Sequence, residues 1–256
     1  MRFASLGSGS EGNSLLISAT SGSTETQVML DCGFGLREAE SRLSDLGVDP
    51  KRISGIIVTH EHQDHVGGVF RLARRHKIPV WMTHGCLEAV RGDAADVKVH
   101  ICRDGDPFVI GDLELRPYTV PHDAREPVQY TATDGISKLG VLTDVGHSTP
   151  HLVDALSACD ALVLEFNHDT EMLAQSVYPP WLKARIGGQL GHLSNQQSAD
   201  ILQSLDRSRL KYLIAGHLSK KNNSPDKVRT VIHGVLGESD VEVVIADQAL
   251  GFGWML

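Results

Sequence analysis

Aromatic side chains are scarce in this chain of 256 residues, at 5%, so its core must be built from Val, Leu, Ile and Ala. With 25 glycines beside them, that composition suits short strands joined by tight turns and argues against an all-helical bundle. The four cysteines, Cys32, Cys86, Cys102 and Cys159, form no C-x-x-C pair, which excludes a disulfide framework and a thiolate zinc site and leaves buried reduced thiols. No apolar signal core follows Arg2 in the opening MRFASLGSGS, and no later run approaches bilayer length. A soluble, cytoplasmic protein with no membrane partner is therefore expected. Positive charge is also lacking: a net charge of -8 excludes nonspecific coating of nucleic acid, although it leaves room for a local basic groove. What is present is enough apolar residue, 41%, to bury a full core, and residues 1–256 read as one domain.

Arg2–Leu6, Ser14–Ser18 and Gln27–Asp31 read as strands of a meander, and Leu36–Leu46 as a helix stopped by Gly47 and Pro50. Ile53–Thr59 is a β-branched run suited to a strand buried on both faces, and it leads directly into His60. A helix over Val66–His76, a strand at Val80–Met82 and a short helix at Leu87–Arg91 follow, then several strands between Val97 and Asp144. The second half alternates, with helices at Pro150–Ala158, Pro179–Ile186, Asn195–Leu205 and Pro225–Leu236 among strands at Ala161–Glu165, Leu210–Ala215 and Val241–Ala246. Strand runs followed by helices in each half predict an α/β fold of two face-to-face sheets with helices outside.

Thr59-His60-Glu61-His62-Gln63-Asp64-His65 sits between a buried strand and a helix. In an extended turn, residues two apart point the same way, so His60 and His62 can converge on one ion. Asp64 and His65 turn into the helix start and can face a second. Isolated histidines are usually core or surface residues; three with an aspartate in six positions read as ligands. Further candidates stand at predicted strand ends: His122 after Tyr118–Pro121, Asp144 after Val141–Thr143 and His217 after Tyr212–Gly216. Imidazole and carboxylate donors suit Zn2+, Mn2+ or iron.

This H-x-H-x-D-H run with a later His, Asp and His resembles the metallo-β-lactamase superfamily over essentially the whole chain. The resemblance implies a four-layer αβ/βα sandwich, two mixed sheets flanked by helices. It also implies that Asp144 bridges two divalent metal ions and that Asp31 is a buried carboxylate behind the ligands, although an Asp before Cys32-Gly33 fits plain turn chemistry too. Many antibiotic-hydrolysing members use a cysteine ligand, whereas Asp64 and Asp144 supply oxygen here, which favours a fully dinuclear centre. By simple counting, two divalent ions, two carboxylates and a hydroxide leave the centre about singly positive, so an anionic substrate is expected. Two ions about 3.5–4 Å apart can hold a phosphoryl oxygen and lower the pKa of the attacking water. Phosphodiester hydrolysis by a metal-bound hydroxide is thus the best electrostatic match, with ester, thioester and lactam hydrolysis drawing on the same polarisation.

Gly7-Ser8-Gly9-Ser10-Glu11-Gly12 satisfies G-x-G-x-x-G, but that fingerprint needs a following helix, and Asn13–Ser18 reads as a strand. The glycines read instead as a tight hairpin that lets backbone lie near the metals. The opening Leu6–Asn13 is similar to the YycJ/WalJ-type branch of the superfamily, as are Val120–Ala124, Glu165–Asp169, Gly191–Asn195 and Gly216–Ser219 through Asn223 and Pro225. This implies a 5′-to-3′ exonuclease on DNA, related more distantly to ribonuclease Z and the phosphonate-pathway phosphodiesterases. In that light Asp64, His192, Glu165 and His168 are the catalytic candidates, with His192 as general acid, Glu165 orienting it and His168 close by. A helix cap formed with Ser194 and Asn195 is the alternative reading of His192. Ser219, Lys220, Asn222 and Asn223 are candidates to hold a substrate phosphate, or form a polar surface turn. Arg71, Arg74 and Arg75, and Lys183 with Arg185, are candidate DNA contacts or solvated surface; His147 is a candidate support behind Asp144. The competing readings are a small-molecule hydrolase acting on a cyclic phosphodiester, lactone or thioester, and a metal-sensing protein without turnover. A deep closed pocket favours the small molecule, and a groove lined by Lys and Arg favours a polymer.

Overall fold

The computed structural model describes residues 1–255, which build two seven-stranded sheets. The first holds β1 (Arg2–Gly7), β2 (Ser14–Ser21), β3 (Thr24–Leu30), β4 (Ile53–Ile57), β5 (Val80–Met82) and β6 (Val99–Ile101) in chain order. β1 to β3 form an antiparallel meander, and β3 to β6 run parallel. The second sheet begins with the antiparallel β7 (Phe108–Ile110), β8 (Leu113–Thr119), β9 (Val128–Thr133) and β10 (Lys138–Leu142). It continues parallel through β11 (Ala161–Glu165), β12 (Tyr212–Gly216) and β13 (Glu242–Ile245). Finally β14 (Phe252–Met255) returns to pair with β1.

Strand side chains alternate between faces, and here both faces are apolar. From the first sheet Leu15, Ile17, Val28 and Leu30 meet Leu115, Tyr130, Val141 and Val163 of the second in a core between the sheets. Leu16, Met29 and Ile56 point the other way, onto α1 (Leu36–Asp45), α3 (Val69–His76) and α4 (His84–Val90). Leu142, Leu162 and Leu213 face α5 (Pro150–Leu156), α8 (Asn195–Ser204) and α9 (Pro225–Leu236). Each such Leu or Ile contributes about 1.5–3 kcal/mol by leaving water. The result is the expected four-layer sandwich of two mixed sheets between helices.

Several boundaries differ from the sequence reading. The expected helix over Val66–His76 is two: α2 (Gln63–Val66) and α3, parted by Gly67 and Gly68. The hairpin of β2 and β3 extends to Ser21 and Thr24, beyond the expected strand bounds of Ser18 and Gln27. α6 (Thr170–Gln175) and β14 were not foreseen. α6 carries only one buried side chain, Leu173, so its apolar periodicity is faint, and β14 is four residues held by the free edge of β1.

The parallel pairs matter most for position. β3 and β4 share a direction, as do β10, β11 and β12, so their carboxyl ends bring Asp31, His60, Asp144, Glu165 and His217 to one rim. Ligands in open α/β sheets bind outside these same ends.

Candidate metal centre

Four overlapping groups of donor atoms converge at that rim. His60, His62 and His122 have ring nitrogens within 4.8 Å of one another, and so do the donor atoms of Asp64, His65 and His217. His60, His65 and Asp144 form a third such group, and Asp144, Glu165, His192 and His217 a fourth. Asp144 therefore touches both histidine groups: its Oδ2 lies 3.1 Å from His65 Nε2, and its Oδ1 3.6 Å from His217 Nδ1 and 4.0 Å from His122 Nε2. Asp31, Asp144 and His217 each follow a strand with φ of 57°, 54° and 57°. This left-handed conformation, which Asp and His tolerate better than most residues, turns each chain over the rim at a cost of about 1–3 kcal/mol.

The imidazoles are aimed by partners on their other nitrogens, which fixes the tautomer. Asp31 is fully buried and accepts from Thr59 N and from Thr59 Oγ1 and His65 Nδ1, all at 2.8 Å. Because the Thr59 hydroxyl donates to Asp31, it accepts from His60 Nδ1 at 2.9 Å, and His60 Nε2 is left for the centre. His122 Nδ1 donates to the Gly191 carbonyl at 3.2 Å, leaving Nε2 3.3 Å from His62 Nδ1. Glu165 is fully buried and takes His217 Nδ1 at 2.7 Å and His192 Nδ1 at 2.9 Å on one oxygen.

These donors fit a divalent cation. His60 Nε2, His217 Nε2 and Asp144 Oδ2 are buried without a hydrogen-bond partner among the described residues; the last lies close to His65 Nε2 but out of line for a hydrogen bond. An unpaired buried polar atom costs about 1–3 kcal/mol, and a shared cation would satisfy all three. Burial, then the nearby charge of His65, holds His60 well below the ordinary imidazole range, and burial lowers His122 likewise. Both are neutral, as a ligand must be. Burial also opposes charge on His65 and His217, but Asp144, helped by Asp31 at His65 and by Asp64 and Glu165 at His217, outweighs it and raises both. The carboxylates thus gather positive charge where a cation would supply it.

His192 stands beside these groups, its ring 5.5 Å from that of His122 and 5.2 Å from that of His217. Burial disfavours its charged form, yet Glu165 and then Asp144 raise its pKa. Ser194 and Gln197 form the capping box of α8, so the cap does not need His192. His168 lies at a bridge to Ser194, its Nδ1 buried and unpartnered among the described residues.

Other expected residues are placed differently. Asn223 spends both amide protons on Asn195 Oδ1 and Phe166 O, at 2.8 Å each, and its oxygen on Asn195 Nδ2. It therefore braces the loop against Asn195 and Phe166. Asn222 is buried with neither side-chain polar atom partnered among the described residues, Ser219 Oγ accepts from its N–H, and Lys220 pairs with Glu11 at 2.7 Å. His147 bonds the Gln189 carbonyl, Arg74 that of Asp93, and Lys183 that of Ala174. Sequence reading passed over Thr59 and Asn13. Asn13 accepts from Gly9 N at 2.7 Å and reaches Asp64 Oδ2 at 3.2 Å and His65 Nε2 at 3.0 Å, so the glycine hairpin does lie against the centre. Gly33 closes the same contact: a Cβ there would stand 1.9 Å from the Asp64 carbonyl oxygen.

Two sheets with histidines and carboxylates converging at their carboxyl ends define a metal-dependent hydrolase. Residues 26–214 match the family described as Beta-lactamase superfamily domain, and the chain belongs to that family. Within it the chain falls in the YycJ/WalJ-type branch. It is 32% identical over 241 residues to exodeoxyribonuclease YycJ of Bacillus anthracis, covering 93% of this chain and 90% of that protein. Exodeoxyribonuclease WalJ of Streptococcus pneumoniae is 29% identical over 247 residues, covering 94% and 90%. The metallo-β-lactamase fold protein YhfI of Bacillus subtilis superposes with a TM-score of 0.76 at 18% identity, covering 99% of this chain and 98% of that one, and shares the fold. No helix among the described residues is long and apolar enough to cross a membrane.

Proposed function

We propose that this chain is a dinuclear metal-dependent nuclease that hydrolyses DNA from the 5′ end towards the 3′ end. One observation carries the reading: the groups His60/His62/His122 and Asp64/His65/His217 are linked by Asp144, which groups with one histidine of each, His60 and His65, beside a histidine fixed on Glu165. The names of the two exodeoxyribonucleases similar to almost the whole chain support DNA as substrate. When bound, two divalent cations, Zn2+ or Mn2+ with iron as a further choice, would neutralise phosphoryl charge and supply an activated water. Each histidine group would hold one cation, with Asp144 available as a carboxylate donor to both. Asp64, at the edge of the rim with its side chain 25% exposed, meets incoming substrate. Glu165 keeps the Nδ1 proton of His192 in place, so His192 Nε2 can pass a proton to the departing 3′ oxygen. His168 supports this pair from the neighbouring loop. The loop after His217 that carries Ser219, Lys220 and Asn222 meets the substrate phosphate.

Incubating the metal-loaded protein with 5′-phosphorylated, end-labelled DNA and RNA tests the reading. Stepwise release of nucleotides from the 5′ end of DNA is expected. Degradation from the 3′ end, or turnover confined to a cyclic phosphodiester, lactone or thioester, would overturn it. Replacing His192 with Ala should lower kcat by about 10²–10⁴, leave metal content by elemental analysis unchanged, and remove the alkaline fall of the pH–rate profile. Unchanged kcat would eliminate His192 as the acid.

A further inference from the structure

We propose that α7 (Pro180–Ile186) is a platform for the single-stranded end of the substrate: Trp181 stacks on a base while Arg185 holds a phosphate of the same strand. This rests on the nuclease reading above and adds to it the surface that grips the strand. α7 buries none of its residues. Trp181 is 67% exposed, with Val177 at 94% and Leu190 at 51% on the flanking loops, so folding leaves an apolar face in water beside the centre. The other two tryptophans are engaged: Trp81 stacks on His100 at 4.6 Å, and Arg2 covers Trp254 at 4.3 Å. Trp181 has no ring or cation partner among the described residues.

Position and charge favour a nucleic-acid strand as the occupant. Trp181 and Arg185 are four residues apart, so they share a helical face about 6 Å apart along the axis. Arg185 Nε donates to Asp123 Oδ2 at 2.7 Å, which leaves its terminal amino groups outside that bond. Asp123 is itself 3.5 Å from His122 Nε2 and 3.8 Å from His62 Nε2, so the guanidinium sits at the edge of the ligand group. The end of α7 is also tied to the chemistry, since His192 N donates to the Ile186 carbonyl at 2.8 Å and His122 Nδ1 bonds Gly191 O. A flat ring, a cation one turn away and a rigid link to His192 are what sequence-tolerant binding of single strands uses.

Two readouts test the platform. Trp181→Ala should raise KM for single-stranded DNA about ten-fold or more while kcat at saturation stays within about two-fold, and Trp181→Phe should restore KM. Quenching of tryptophan emission by oligothymidylate, measured with chelator present, should be lost in Trp181→Ala. Arg185→Ala should reduce the slope of log Kd against log salt by about 0.7, the share of one phosphate on a single strand, and Arg185→Lys should keep it. Wild-type KM and wild-type quenching in Trp181→Ala would assign this face to a protein partner and overturn the platform. If the wild-type protein cuts neither DNA nor RNA, the nuclease reading fails, and quenching alone then decides whether α7 binds a strand.

Discussion

Asp144→Asn is expected to take turnover below detection, a loss of more than about 10³, while leaving the fold in place. The carboxylate stands between the two histidine groups, 3.1 Å from His65 Nε2 and 4.0 Å from His122 Nε2. Asn preserves its volume but removes the charge and turns an amino group towards histidine donors. The chain still folds, because Asn tolerates the φ of 54° found there. Elemental analysis should find the variant depleted of metal, and thermal unfolding with chelator should remain cooperative with a Tm below that of wild type, because His65 and His217 lose the carboxylate that favours their charged forms. A bound cation stabilises by RT ln(1 + [L]/Kd), about 2.7 kcal/mol at 100 times Kd; wild type should gain this on metal addition and the variant should not. Turnover at a tenth of wild type would mean that Asp144 does not join the two groups.

The donors that the structure brings together were visible in the sequence because coordination chemistry restricts them to histidine and carboxylate, and because buried strands announce their own ends. Ile53–Thr59 reads as a buried strand, which sets His60 at its edge, and the strand forms over Ile53–Ile57. The atoms that aim those donors were not visible. Thr59 is an ordinary β-branched residue until its hydroxyl links Asp31 to His60, and Asn13 is an ordinary turn residue until folding carries it across 51 positions to Asp64. Glu165 was legible only as the partner of His192; that it also holds His217, 52 positions away, follows from β11 and β12 running parallel. Such roles arise from register between strands, and no local spacing encodes them.

The same logic separates neighbouring residues of one polar loop. Asn222 and Asn223 are adjacent and chemically identical, yet one is saturated by Asn195 and Phe166 and the other has no partner among the described residues. The difference comes from the bridge between the His168 and Ser194 segments, which delivers Asn195 to Asn223. Trp181 shows the converse. Tryptophan is highly buried on average, but on α7 Leu182 and Ile186 are half-buried while Trp181 faces water.

Glu165→Gln should be the costliest single change to stability in the metal-free protein, about 3–5 kcal/mol, because it breaks a buried ion pair. Glu165 accepts from His217 Nδ1, His192 Nδ1 and Asp144 N on one oxygen, and from Leu193 N and Val145 N on the other. Gln has one acceptor oxygen, so in either orientation its amino group faces either two histidines or two backbone donors. His217 would shift its proton to Nε2, the atom required by the cation, and metal affinity should drop about 10–100-fold. The pH dependence carries the diagnostic sign. Burial raises the Glu165 carboxyl, but His192 and His217 outweigh it and hold it near about 2, against an ordinary 4.5. Its stabilisation is therefore complete above about 4.5 and is lost as pH falls towards about 2. His217, raised from 6.5 to about 10, contributes fully below 6.5 and loses its share as pH rises towards 10. With chelator present, the gap in Tm between wild type and Glu165→Gln should be widest between these limits and narrow on both sides. A gap that stays constant from about pH 3 to pH 9 would show that no ionised Glu165 pairs with these histidines.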